Sequence, residues 1–178
     1  MLLVALGLVA AAVALIVVVA TTGGSGGGNK ADLSGVQTFG PLPRNHVQGR
    51  VQYAQTPPVG GDHSAIVQNC GFYAEPVPSE QAVHSMEHGA VWITYRPDLS
   101  VTQVDVLRRL AQGHDYVLVG PFPGLPSPVV ASAWSVQLRL PSATDPRLSA
   151  FVRRYSEGPQ APERGALCSG GAGNPESG

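Results

Sequence analysis

The sequence predicts an α+β domain: a small mixed or antiparallel sheet with two helices packed on it and a loop-rich N-terminal half. Three observations lead there. Apolar residues alternate with period two in several short stretches. Two later stretches carry an apolar stripe at helical spacing, bounded by start and stop residues. Gly and Pro pairs crowd the region from Phe39 to Glu75.

Gly40-Pro41, Pro57-Pro58, Gly60-Gly61 and the turn around Asn69 to Gly71 read as extended segments joined by turns. Between them Val47 to Tyr53 alternates, with Val47, Gly49, Val51 and Tyr53 on one face, which predicts a strand. Ala90 to Tyr95 is a second strand, central because Val91, Ile93 and Tyr95 on one face are matched by Trp92 and Thr94 on the other. Ser100 followed by Gln103 is a capping-box pattern, Val104, Leu107, Leu110 and Ala111 form a stripe, and Gly113 is placed for a left-handed stop. Tyr116 to Gly120 reads as a short buried strand, and the four prolines of 121–128 as a loop. Val130 to Leu140 alternates and predicts one strand with a solvated face carrying Ser135, Gln137 and Arg139. Asp145-Pro146 opens a second helix as cap and first residue, Leu148, Phe151, Val152 and Tyr155 form its stripe, and Gly158 closes it. Both helices are expected on one face of the sheet. Trp92 and Trp134 are expected in the core.

Of 178 residues, the first twenty form a separate unit. Leu2 to Ala20 is apolar and uncharged, and at 1.5 Å per residue it spans roughly 28 Å as a helix, close to a hydrocarbon core. It reads either as a transmembrane anchor, the preferred reading, or as a signal peptide cleaved after Val18-Val19-Ala20. Residues 21–37 begin with TTGGSGGGN, a flexible linker, and 38–168 form the globular domain, expected on the outer side of the membrane. The glycine-rich stretch 169–178 is expected to be a disordered tail. Charged residues are 13% and the net charge is −1, so no basic field exists to hold nucleic acid. Protein partners are not specified. Cys70 and Cys168, the two cysteines, read as one disulfide in an oxidising compartment, closing a loop of about a hundred residues and contributing on the order of 2–4 kcal/mol. The alternative makes Cys70 a metal ligand.

Four of the five histidines precede residue 90: His46, His63, His84 and His88. His84 and His88 lie four apart in Val83-His-Ser-Met-Glu-His-Gly89, so as a helix both imidazoles reach one ion. As an extended strand their Cα atoms stand about 13 Å apart, too far unless Gly89 bends the chain. His63 follows Pro57-Pro-Val-Gly-Gly-Asp62, a loop able to present an imidazole into a cleft, and His46 precedes the first strand. Glu87 is placed to orient a ligand histidine or to act as a base. These residue types suit copper if Met86 joins the histidines, and zinc if a carboxylate does. The competing reading makes each histidine a hydrogen-bonded residue that stiffens a loop-rich fold. His114, just past a helix end, is a favourable charge against the helix dipole. No Gly-x-Ser-x-Gly elbow, phosphate loop, Cys-x-x-Cys or dinucleotide fingerprint occurs.

The series His46 to Tyr53, Pro57-Pro-x-Gly-Gly-x-His63, Cys70-Gly-x-Tyr73, Val83-His-Ser-Met-Glu-His-Gly-Ala-Val91 and Tyr95-Arg-Pro97 resembles the bacterial domain-of-unknown-function family 3105, typical of actinobacteria. Pro121-Phe-Pro-Gly-Leu125, Ala133-Trp134 and Cys168 resemble it too, so the likeness covers roughly residues 38–170. The resemblance implies a membrane-anchored protein with the same histidine-bearing segments, and no activity. Three functions remain in view: an extracytoplasmic metal-binding module using His63, His84 and His88 with His46 or Cys70 added; a metal-dependent hydrolase with Glu87 as general base; and a non-catalytic interaction module.

Overall fold

The computed structural model describes residues 32–176; the apolar run and residues 21–31 of the linker lie outside the described residues. Among the described residues no helix is long and apolar enough to cross a membrane. Nine elements follow in order: β1 (Gln37–Thr38), β2 (Gly71–Phe72), α1 (Ser79–Glu87), β3 (Val91–Tyr95), α2 (Val101–Gln112), β4 (Val117–Pro121), β5 (Val129–Ala133), β6 (Val136–Leu140) and α3 (Pro146–Tyr155). The strands form one mixed sheet in the order β1-β6-β5-β3-β4-β2. β3, α2 and β4 make a parallel crossover, with Ile93 opposite Val119, while β5 and β6 return antiparallel on the far side of β3.

The central strands are buried on both faces, and each face has its own core. Val91, Ile93, Val117 and Val119 point to a layer built from α2 (Leu107, Ala111) and α3 (Leu148, Phe151, Val152). Trp92, Leu118 and the hairpin residue Trp134 point the other way, onto Ala82, Val83 and Met86 of α1. The α+β class therefore holds, but with three helices, and α1 lies opposite the other two. The period-two pattern of β3 demands this arrangement, since Trp92 needs an apolar cover as much as Ile93 does.

Several expected elements differ. Val47 to Tyr53 is not a strand; it is held by single contacts instead, Val51 N–H donating to Glu80 Oε1 (3.0 Å) and Tyr53 Oη–H to the Asp62 carbonyl (2.8 Å). Its alternation arises because Tyr53 packs against the α1-side core. Residues 130–140 are two strands, not one. The chain reverses at Trp134-Ser135, where Ser135 has φ 62°, and Gln137, expected in solvent, is buried with its amide donating to the Pro57 carbonyl (3.0 Å) and Ser132 Oγ (3.1 Å). The capping box does not form at Ser100: Gln103 accepts from Ala143 N–H instead (2.9 Å). Gly113 sits at φ −89°, so α2 ends without a left-handed residue. For α3, Asp145 caps as expected, accepting from Arg147 N–H (3.0 Å), but the left-handed residue after it is Glu157 (φ 47°), not Gly158.

The C-terminal segment is tied down rather than frayed. Cys168 is disulfide-bonded to Cys70, which removes Cys70 from any list of metal ligands. Beyond it, Ala172 pairs with Gln68, Asn69 Nδ2 donates to the Gly173 carbonyl (2.8 Å), and Glu176 N–H donates to the Phe72 carbonyl (2.9 Å). The backbone donors and acceptors of this glycine-rich stretch are satisfied by the chain around β2, which the composition alone does not reveal.

One turn sets the position of everything near α1. Gly89 follows the helix at φ 111°, and a Cβ there would come within 3.0 Å of the Glu157 backbone. Its carbonyl accepts from Glu157 N–H (2.8 Å). Gly89→Ala is expected to destabilise the fold by about 1–3 kcal/mol, read as a lowered urea midpoint at unchanged slope.

Candidate metal centre

α1 is short, and Ala82 to Glu87 are buried on every side. Its two faces differ in chemistry. Ala82, Val83 and Met86 cover Trp92 and Leu118. His84, Glu87 and the cap residue His88 project from the other side, at the i, i+3 and i+4 positions that share a helix surface. Met86 is thereby committed to the core, away from the histidines.

Two loops are laid against that polar face. The segments around His46 and His63 pair as a short parallel bridge: Val47 N–H donates to the His63 carbonyl (2.8 Å) and His63 N–H to the Asn45 carbonyl (3.0 Å). Asp62 Oδ1 reinforces it by accepting from both the backbone and the side-chain nitrogen of Asn45 (3.0 and 2.8 Å). The loop is fastened to α1 by Ser64 N–H to the Glu80 carbonyl (3.2 Å) and by Ser85 Oγ–H to the Gln68 carbonyl (2.7 Å). Gly60, whose Cβ would strike Leu42 and Trp134, lets this loop sit tight on the core.

The result is a triangle of imidazoles. The ring centroids of His46, His63 and His84 stand 5.0, 4.9 and 5.0 Å apart, with no pair stacked face to face. Donor atoms from these three and from Glu87 all lie within 4.8 Å of one another. His63, His84 and Glu87 are buried and His46 is exposed.

The tautomer of His63 follows from its neighbours. Nδ1 is 2.8 Å from the Gly61 carbonyl, which can only accept, so Nδ1 carries a proton and Nε2 is the nitrogen left to face the cluster. That Nε2 is 2.9 Å from Glu87 Oε2, the distance of an ion pair when the ring is protonated. A neutral ring and a carboxylate repel at this distance, so the contact takes a positive charge, either a second proton on His63 or a bound cation. His84 Nδ1 is a buried atom with no partner.

A second group adjoins the first through His84. His84, His88 and Glu163 also bring donor atoms within 4.8 Å of one another. Glu163 had no signal in the sequence: it lies in a loop with no periodic pattern, far along the chain. The backbone brings it in. The carbonyls of Glu87 and His88, left open at the end of α1, accept from Glu163 N–H (3.0 Å) and Gly165 N–H (3.2 Å). Of the expected trio, therefore, His63 and His84 meet directly with His46 and Glu87, while His88 turns to Glu163.

Burial, reinforced by the neighbouring His88, His63 and His46, lowers the His84 imidazole from its ordinary 6.5 to about 4. The folded chain thus binds fewer protons than the unfolded chain between these values, so stability falls as pH drops through them. Urea midpoints of the metal-free protein are expected to decline from about pH 6.5 to pH 4 and then lose this contribution to the slope, and His84→Asn is expected to flatten that part of the profile.

No curated protein and no solved structure matches the chain. A family model described as "Protein of unknown function (DUF3105)" matches residues 46–170, a span that begins at His46 and contains every residue of both groups. Because that match covers most of the chain, the protein belongs to the DUF3105 family.

Proposed function

We propose that this domain binds a divalent transition-metal ion, zinc in preference to copper, through His46, His63, His84 and Glu87. The observation that carries the reading is the imidazole triangle. An ion with tetrahedral nitrogen ligands at about 2.0–2.1 Å holds its imidazole centroids roughly 5.2 Å apart, and the centroids here stand 4.9–5.0 Å apart. The Glu87–His63 spacing of 2.9 Å is shorter than the roughly 3.4 Å between two ligands on a tetrahedral ion, so this pair opens by about 0.5 Å when the ion binds. An ion there gives the His63 lone pair a partner and neutralises the carboxylate. The Gly61 carbonyl acts as the outer partner that fixes a ligand histidine's tautomer. A cation is also favoured by the negative end of the α1 dipole, from whose last turn His84 and Glu87 project.

Zinc is preferred because the set is three imidazoles and a carboxylate. The thioether that would favour copper, Met86, faces the core. The hydrolase reading asks Glu87 to serve as a free base, whereas its buried carboxylate faces His63. The larger clefts do not help that reading either. One of about 610 Å³ is lined by Gly49 to Tyr53, Pro76 to Glu80, Phe122 and Pro123, and includes none of the four ligands. The purely structural reading pairs His63 with Glu87 but leaves His84 Nδ1 without a partner.

We place the domain outside the cytoplasm, held by the apolar segment Leu2 to Ala20. The disulfide supports an oxidising compartment, and the run is of spanning length. Its role there is metal handling at the cell envelope.

The full chain, purified in detergent, is expected to bind zinc tightly enough that an equimolar ion raises its melting temperature. His63→Gln and His84→Gln are each expected to weaken zinc binding by more than about 100-fold, beyond what loss of an outer partner costs. Elemental analysis and zinc titration read this out. Absence of bound zinc or copper in the wild type, or unchanged affinity in both variants, rejects the reading.

A further inference from the structure

We propose that a second, outer cation binds between His88 and Glu163, with His84 as the ligand common to both ions, so that the domain carries a two-metal centre. This rests on the first ion occupying the triangle.

The outer position has its own chemistry. His88 Nδ1 lies 2.7 Å from the Leu167 carbonyl, so that nitrogen carries the proton and Nε2 holds the lone pair. Nε2 is 3.6 Å from Glu163 Oε2, too long for a hydrogen bond. Two ligands at about 2.0–2.2 Å on a tetrahedral ion stand roughly 3.4 Å apart, so the gap suits an ion better than a proton. The His84 and His88 rings meet edge to face at 4.5 Å. The layout follows the inner one: a carbonyl holds one ring nitrogen and the other faces a carboxylate, at 3.6 Å here against 2.9 Å there.

His84 belongs to both donor sets and is only 6% exposed, with a ring nitrogen that has no partner. An imidazole has one nitrogen for each of two ions. Bridging takes it as the imidazolate: the ring N–H bond breaks, a nitrogen–metal bond forms, and the proton leaves to solvent. The outer set is also the more accessible, with the Glu163 side chain 53% exposed against 3% for Glu87. The outer ion should therefore bind more weakly and leave first. The segment that carries Glu163 is pinned on both sides, by the hydrogen bonds to the end of α1 and by the Cys70–Cys168 disulfide just beyond Leu167.

The test is zinc stoichiometry of the full chain and of Glu163→Gln, whose exposed side chain is not needed for packing. The wild type is expected to bind two zinc ions, the weaker one removed first by chelator and accompanied on rebinding by release of one additional proton. Glu163→Gln is expected to bind one, with the tighter site unchanged. One ion in both proteins overturns the outer site and leaves the inner reading standing. Two ions in both overturns the assignment of Glu163. Zero in both overturns the inner reading, and this inference with it.

Discussion

A buried carboxylate held against a buried imidazole is the constraint on which the polar half of this molecule turns. Glu87 and His63 are almost wholly excluded from solvent, and their nearest atoms stand 2.9 Å apart with the other ring nitrogen held by Gly61. Leaving such groups unpaired in an apolar interior costs several kcal/mol. The surrounding structure nevertheless invests many specific bonds in holding them there. The Asn45–Asp62 clamp, the parallel bridge between the two loops, and the fastening of Ser64 and Ser85 all fix the histidines rather than relieve the contact. A chain that fixes a carboxylate against an imidazole in this way provides for a positive charge between them, a proton or a bound cation.

The sheet makes this arrangement possible by separating two tasks. On one face α2 and α3 close an ordinary apolar core over β3 to β6. On the other, α1 supplies the apolar cover with one side and the polar ligands with its opposite side. The helix is short, so its last carbonyls are open, and the segment after α3 fills them. That same docking delivers Glu163 and the Leu167 carbonyl to His88. Termination of α1 and assembly of the outer donor group are thus one set of hydrogen bonds, with Gly89 as the turn that admits the segment.

Some of this was legible in the residues. The i, i+4 spacing of His84 and His88 pointed to a shared surface on a helix, and Glu87 beside them was visible as a partner. The strands β3 and β4 and the helices α2 and α3 declared themselves through apolar period and end residues. Other features misled. Val47 to Tyr53 alternates because one of its residues packs on α1, without a ladder to pair with. Trp134-Ser135 is a reversal hidden inside a run whose alternation continues through it. Helix α1 lacked the usual signature because it is buried on both sides and begins after Pro78 without a side-chain cap.

By itself the sequence determined the periodic elements, the class of the fold, the cysteine pair and the stock of imidazoles, because each is written in local spacing or simple count. Only the tertiary structure decided which imidazoles meet. His46 reaches His63 through a backbone bridge between two aperiodic loops, and Glu163 reaches His88 through the open end of a helix far away in sequence. Such convergence depends on backbone hydrogen bonds between distant segments, and these leave no period in the chain that forms them.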